Sequence, residues 1–146
     1  MYFAIAAGGT AGHVNPAIAV ASELEKHGHD VMFFGTPNHI ESRLAKDAGF
    51  DFTDLDVAGF DKAHPTTFLT SSIKILKATS KVKEMFSQRR PDAVITFGAY
   101  VSLPVGRAAN SCKIPLVIHE QNSVAGMANK YLAKKLYSPI CGGCLL

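Results

Sequence analysis

Apolar runs of strand length alternate with longer stretches of helical periodicity from the first residues to about Ala133, and no other feature restricts the possible folds so tightly. Strands joined by helical crossovers lie parallel, with helices covering the sheet, so the alternation predicts an α/β domain. Strand candidates are Tyr2 to Ala7, Val31 to Gly35, a weaker Phe50 to Leu55, Ala93 to Phe97, and Leu116 to Ile118. Helices fall between them. Pro16 to His27 carries proline at a first-turn position and stops at Gly28, and His39 to Ala48 stops at Gly49. A long helix from about Phe68 to Arg89 precedes Pro91, and shorter ones cover Val101 to Asn110 and Ala125 to Lys134. The segment from Val57 to Thr67, with Gly59, Asp61, His64 and Pro65, has no period and reads as a loop, either a lid or an ordinary connection.

With 146 residues, 47% of them hydrophobic, the chain can bury one substantial core, and a single domain is expected. A formal charge of +3 is too small to argue for nucleic-acid binding, and no such partner is expected. The three cysteines, Cys112, Cys141 and Cys144, do not make a paired framework and suit a reducing compartment. Cys141-Gly142-Gly143-Cys144 has half the spacing of a zinc site without a second pair, so no metal is expected there. The opening Met1 to Ala7 is apolar but lacks a basic leader, and Gly8-Gly9 interrupts it short of a signal or spanning length, which makes it a first strand.

Three polar or glycine-rich segments each follow a predicted strand: Gly8-Gly9-Thr10-Ala11-Gly12-His13, Gly98-Ala99-Tyr100-Val101-Ser102, and His119-Glu120-Gln121-Asn122. In a parallel α/β sheet ligands bind outside the carboxyl ends of the strands, so segments far apart in sequence are expected to converge on one cleft. The small residues of the first segment let backbone N–H groups and a helix dipole approach an anion, and a diphosphate is the natural guest. The dipole contributes only about 0.3 to 2 kcal/mol, so it orients a phosphate without holding it alone. His13, after the last glycine of that loop, is a candidate general base, with a structural hydrogen-bonding role as the alternative.

A dinucleotide site competes for the first loop, since Ala7-Gly8-Gly9-Thr10-Ala11-Gly12 is one substitution short of G-x-G-x-x-G. Ala7 in place of the first glycine, and Phe34-Gly35-Thr36-Pro37 without an acidic residue for a ribose, argue against it. His119-Glu120-Gln121-Asn122 is not H-E-x-x-H, because Ser123 stands four after His119. Its side chains suit sugar hydroxyls, acetamido groups and phosphates, or else Glu120 and Asn122 brace the turn and cap the next helix.

Between Lys74 and Arg90 the chain carries Lys74, Lys77, Lys81, Lys83, Arg89 and Arg90 against Glu84, with Phe68, Leu69, Ile73, Leu76 and Phe86 supplying apolar surface. Near an anionic bilayer each basic side chain contributes about 1 kcal/mol, enough in combination for reversible attachment. The alternative is a solvated basic face whose apolar residues turn to the core.

In order and spacing, Gly8-Gly9-Thr10-Ala11-Gly12-His13-Val14-Asn15-Pro16, Phe97-Gly98-Ala99-Tyr100-Val101-Ser102-Leu103-Pro104 and His119-Glu120-Gln121-Asn122-Ser123-Val124-Ala125-Gly126 resemble the three signature stretches of the MurG family. The likeness runs from Met1 to about Lys135. It implies a Rossmann-like parallel sheet flanked by helices, the N-terminal half of a GT-B type glycosyltransferase, whose C-terminal donor-binding domain is not within this chain. The implied reaction is an inverting transfer of N-acetylglucosamine from UDP-N-acetylglucosamine to an undecaprenyl-linked muramyl-pentapeptide acceptor, the lipid I to lipid II step of peptidoglycan synthesis. UDP-N-acetylglucosamine is the donor substrate and no cofactor is implied.

By position, the resemblance implies that His13 is the base or acceptor-orienting residue. It places Thr10, Ala11, Gly12 and Asn122 near the donor, and Gly9, Asn15, Gly98, Tyr100, Ser102, Glu120 and Gln121 around the acceptor. It also implies peripheral attachment to the cytoplasmic face of the cell membrane through Phe68, Leu69, Ile73, Leu76, Lys74 and Lys77. Ala11 and Ala99 replace glycines common in the family's loops, which narrows backbone freedom. Residues 136–146 no longer look like the family and read as an atypical tail; without the donor-binding half that the resemblance implies, the chain alone is expected to be inactive. The alternative is a non-catalytic, membrane-recruiting subunit of a two-chain N-acetylglucosaminyltransferase.

Overall fold

The centre of the sheet is the first strand of the chain. β1 (Tyr2–Ala6) pairs in parallel with β2 (Asp30–Gly35) on one side and with β4 (Ala93–Thr96) on the other, placing Ile5 opposite both Phe33 and Ile95. β3 (Asp51–Asp54) continues the sheet beyond β2, while β5 (Leu116–Ile118) and β6 (Pro139–Cys141) continue it beyond β4. The six parallel strands lie in the order β3-β2-β1-β4-β5-β6, which is the Rossmann order, and it reverses direction between β1 and β4. This computed structural model describes residues 1–59, 66–135 and 139–141.

Two apolar layers explain why β1 reads as an unbroken hydrophobic run. Ala4 and Ala6 face one layer with Phe34 and Val94, where α3 (Thr66–Gln88) contributes Ile75, Val82 and Phe86 and α4 (Ser102–Ser111) contributes Val105 and Ala109. Ile5 and Ala7 face the other, with Phe33 and Phe97, against Ala17 and Ala21 of α1 (Ala11–Lys26) and Ala45 of α2 (Ile40–Asp47). With period-2 alternation along a strand covered on both sides, neither face can be polar. α5 (Met127–Ala133) packs against α4, where Leu132 closes over Gly106. None of the helices among the described residues is long and apolar enough to cross a membrane.

Three features depart from the sequence expectation, and the other element ends agree with it within the residue or two usual there. α1 starts at Ala11, not at Pro16, so Gly12 and His13 belong to its first turn. Pro16 sits inside the helix and lacks the N–H that would bond the Gly12 carbonyl, a local loss that the buried Val14 and Ala17 on either side outweigh. β6 was not expected as a strand, because only three residues make it and proline leads them; both are tolerated at a sheet edge. Thr66 and Thr67 open α3 instead of ending the preceding loop, and residues 60–65 of that loop, with Asp61, His64 and Pro65, lie outside the described residues. So do 136–138 and 142–146 of the tail, Cys144 included.

The two alanines that stand for family glycines are not equivalent. Ala11 is a helical residue, for which alanine is well suited, whereas Ala99 has φ of 64°, in the left-handed region that costs an L-residue roughly 1–2 kcal/mol. Glycine there gives back about 0.5–1 kcal/mol through its freer unfolded chain. Ala99→Gly is therefore expected to raise unfolding stability by up to about 1 kcal/mol in a denaturant titration, and a clear loss would contradict the strain assigned to this turn.

Candidate functional site

The loop after β1 turns at Gly9, with φ of 85°, and reaches Thr10, the N-cap of α1. An N-cap threonine ordinarily turns its hydroxyl onto the first-turn amides. Here Thr10 Oγ1 instead meets His13 Nδ1 at 2.9 Å, and no side chain caps the helix. The His13 and Val14 amides reach the Thr10 carbonyl at 3.0 and 3.1 Å, leaving the exposed Ala11 and Gly12 amides without a protein acceptor among the described residues. No acidic residue occupies this first turn, so the positive end of a 16-residue helix faces outward unopposed.

The loop after β4 is built around that imidazole. A Cβ at Gly98 would lie 2.8 Å from His13 Cδ2 and 3.0 Å from Nε2, and the same residue has φ of 94°, so both conformation and space require glycine. Ser102 is fully buried and donates its hydroxyl to the Gly98 carbonyl at 2.5 Å. Its side chain braces the turn, in place of the acceptor contact expected from sequence. Tyr100 is half-buried, with the backbone of Gly59 against its ring.

The loop after β5 is organised by one carboxylate. Glu120 Oε1 accepts from the Asn122 amide at 3.0 Å and from Asn122 Nδ2 at 2.9 Å. Its Oε2 accepts from the N–H of Gly126, the N-cap of α5, at 2.9 Å and from Asn129 Nδ2 at 3.0 Å. Partial burial alone would push this carboxyl up, but the Gly126 and Asn122 amides with the Asn129 and Asn122 side chains bring it below the ordinary glutamate value. Glu120 thus braces the turn and the start of α5, the second of the two roles considered from sequence.

His13, Tyr100 and Asn122 line one cavity of about 260 Å³, together with Gly98, Glu120 and Asn129. Tyr100, Met127 and Ala128 also border an apolar cleft of about 410 Å³ that runs between Phe68, Ile75 and Leu76 of α3, Leu103 of α4 and Tyr131 of α5. On its remaining side Tyr100 joins Gly9 and Ala99 around a third cavity of about 320 Å³. Asn15 and Gln121 are exposed and lie outside these three cavities.

On α3, Phe68, Leu69, Ile73 and Leu76 are 63%, 66%, 44% and 53% exposed, so they do not turn to the core. The basic run is less free than its sequence suggests. Lys74 pairs with Asp56 at 2.9 Å, Lys81 donates to the Asp54 carbonyl, Arg89 pairs with Asp30 and stacks on Tyr2, and Arg90 donates to the Cys112 and Lys113 carbonyls. Lys77 is exposed.

Two site residues escaped the sequence reading. Asn129, buried and bonded to the His119 carbonyl as well as Glu120, looked like an ordinary helical position in Ala125 to Lys134. Glu41, fully buried in the first turn of α2, carries no motif and was not singled out within the helix His39 to Ala48.

A carboxyl whose folded pKa is depressed stabilises the fold above its unfolded pKa, and that contribution is lost as pH falls through the folded value. Glu120→Gln is accordingly expected to flatten the acid limb of the stability–pH curve below the ordinary glutamate range; an unchanged limb would show that the four donors do not hold the carboxylate. Gly98→Ala is expected to displace the imidazole and to destabilise by about 1–3 kcal/mol in thermal unfolding, with a neutral result contradicting the contact.

Residues 3–138 match the model of the glycosyltransferase family 28 N-terminal domain. Among curated proteins, the UDP-N-acetylglucosamine--N-acetylmuramyl-(pentapeptide) pyrophosphoryl-undecaprenol N-acetylglucosamine transferase of Psychrobacter arcticus is 43% identical over 128 residues, covering 88% of this chain and 36% of that protein. The transferase of the same name from Haemophilus ducreyi is 41% identical over 130 residues, 89% of this chain and 37% of that one. The chain therefore spans little more than a third of the length of these relatives. Among solved structures, Acinetobacter baumannii MurG superposes with a TM-score of 0.79 at 40% identity over 93% of this chain and 39% of that one. The glycosyltransferase SsfS6 of Streptomyces sp. SF2575 gives 0.64 at 18% identity over 90% and 42%, a likeness of fold alone. Matched along nearly all its length by the family model and superposing on the MurG structure, the chain belongs to the glycosyltransferase family 28 N-terminal domains, on the side of the family that MurG represents.

Proposed function

We propose that the chain is the acceptor-binding half of an inverting transferase that moves N-acetylglucosamine from UDP-N-acetylglucosamine to a lipid-linked N-acetylmuramyl-pentapeptide pyrophosphate, the lipid I to lipid II step of peptidoglycan synthesis. The observation that carries this reading is the position of Tyr100, which walls both the polar cavity holding His13 and Asn122 and the apolar cleft between α3 and α5. A phosphorylated sugar on a hydrocarbon tail divides its polarity in the same way. The names of the Psychrobacter and Haemophilus relatives state this transfer. Remaining donor contacts are assigned to a second domain, for which the greater length of those relatives leaves room.

In this reading the acceptor 4-hydroxyl attacks the anomeric carbon while the bond to UDP breaks. The hydroxyl proton passes to His13 Nε2, and the bonding electron pair leaves with the diphosphate. The unmatched amides of Ala11 and Gly12 face the charge that grows there, which is the arrangement that favours a transition state over bound substrate. Nε2 can accept a proton only in the tautomer whose Nδ1 carries its own, and in this reading that Nδ1–H donates to Thr10 Oγ1.

The same reading places the protein peripherally on the cytoplasmic face of the membrane. Full burial of an apolar side chain contributes roughly 1.5–3 kcal/mol against about 1 kcal/mol for a basic one near anionic lipid, so Phe68, Leu69, Ile73 and Leu76 dominate, assisted by Lys77 and, less, by the paired Lys74.

In the transferase that contains this chain, His13→Ala is expected to lower kcat by roughly 10²–10⁴ with a smaller change in KM, and steady-state turnover close to the parent would remove the base assignment. Phe68→Ser with Leu69→Ser is expected to weaken co-sedimentation with anionic vesicles at least about tenfold at unchanged thermal stability. Undiminished sedimentation would place the membrane surface elsewhere.

A further inference from the structure

Glu41 is a carboxylate buried to 0% exposure at the carboxyl edge of the sheet, and the mechanism above does not use it. Its Oε1 accepts from the Thr36 amide at 3.2 Å and from the Thr36 hydroxyl, tying the end of β2 to the first turn of α2. Its Oε2 is buried and has no partner. Two glycines make room for it. A Cβ at Gly8 would lie 2.9 Å from Oε1, and one at Gly35 would lie 2.7 Å from Cγ. Glu41 also lines the cavity of about 320 Å³ that Gly9, Ala99 and Tyr100 share with the central site, a volume within the usual range for a small-molecule cleft.

The contrast with Glu120 is informative. Four protein donors saturate the Glu120 carboxylate, whereas half of Glu41 is unmatched, and buried polar atoms without partners are both costly and uncommon. Tethering Thr36 needs a single acceptor oxygen, which a glutamine supplies equally well, so the tether does not explain a carboxylate. Oε2 is shielded in this arrangement, but Glu41 lines the neighbouring cavity, so a group seated there can supply the missing donor when the carboxylate turns about its last torsion and presents an oxygen to the cavity. A phosphate, which brings acceptor oxygens, is better served by the unopposed amides of Ala11 and Gly12 at the start of α1 than by another acceptor oxygen.

We propose that Glu41 is a specificity-determining residue: its carboxylate, at the floor of the cavity beside Tyr100, accepts a hydrogen bond from an uncharged donor group, a hydroxyl or amide N–H, of the acceptor's muramyl-peptide portion. This rests on the acceptor reading above and deepens it. The carboxylate gives the cleft a sense of direction, since the sugar-peptide end enters beside Glu41 while the diphosphate turns to the start of α1.

The test is calorimetric titration of the chain with two probes, an N-acetylmuramyl-(pentapeptide) pyrophosphoryl lipid with a shortened prenyl tail and the same pyrophosphoryl lipid without the muramyl-peptide. Glu41→Gln is expected to weaken the first at least about tenfold and leave the second within about twofold, with the melting temperature monitored alongside. Gly8→Ala, whose Cβ crowds Oε1, is expected to produce the same selective loss. Equal affinities of parent and Glu41→Gln for the first probe, or parallel losses for both probes, would overturn the proposal and leave Glu41 as a tether. Failure of the parent chain to bind either probe would overturn the acceptor reading itself, and this inference with it.

Discussion

The imidazole of His13 rests on the backbone of Gly98, and that contact fastens the loop after β1 to the loop after β4. Everything that makes the edge of the sheet a site follows from it. The sheet order reverses between these two strands, so their outgoing loops diverge onto opposite faces and leave a crevice between them. The crevice keeps its shape only if something spans it without filling it. A glycine at 98 leaves room for the ring; Ser102 holds the turn through the Gly98 carbonyl, and Thr10 holds the ring through Nδ1. The third loop is fastened by a different device, the Glu120 carboxylate, which draws Asn122, Gly126 and Asn129 into one network and leaves Asn122 beside the same cavity.

Tyr100 is the point where surfaces of different polarity meet. Toward the start of α1 the walls offer an imidazole; toward α3 and α5 they offer Leu76, Met127 and Tyr131; beside Gly8-Gly9 they offer a buried carboxyl group. A single half-buried ring thus separates a polar cavity, an apolar cleft and a cavity floored by a buried acceptor oxygen. An amphiphile that satisfies all three can lie in one orientation only, and orientation is the chief contribution an acceptor domain can make before chemistry begins.

Much of this was legible in the sequence because it depends on local pattern. All five expected strands and five expected helices exist, since strands buried on both faces leave unbroken apolar runs, and glycines mark helix ends. The convergence of the three loops was legible too, as a consequence of parallel topology. What escaped depends on contacts between distant residues. Proline is a good start signal, so Pro16 concealed that α1 begins at Ala11. Ser102 sits in a motif but is turned inward, a matter of one rotamer against the Gly98 carbonyl. The lysines of α3 looked like one basic field until Asp56 and the Asp54 carbonyl appeared as partners from across the sheet edge. Glu41 carries no motif, and only the space left by Gly8 and Gly35 reveals it.

The central claim is that one ligand engages all three loops and the apolar cleft at once. Backbone amide NMR of the chain, titrated with a short-tailed N-acetylmuramyl-(pentapeptide) pyrophosphoryl lipid, tests it most directly. The account predicts that resonances of Ala11 to His13, Ala99 to Tyr100, Asn122 and Met127 shift together with a single binding constant. Shifts limited to one loop, or centred on the opposite edge of the sheet, would contradict it.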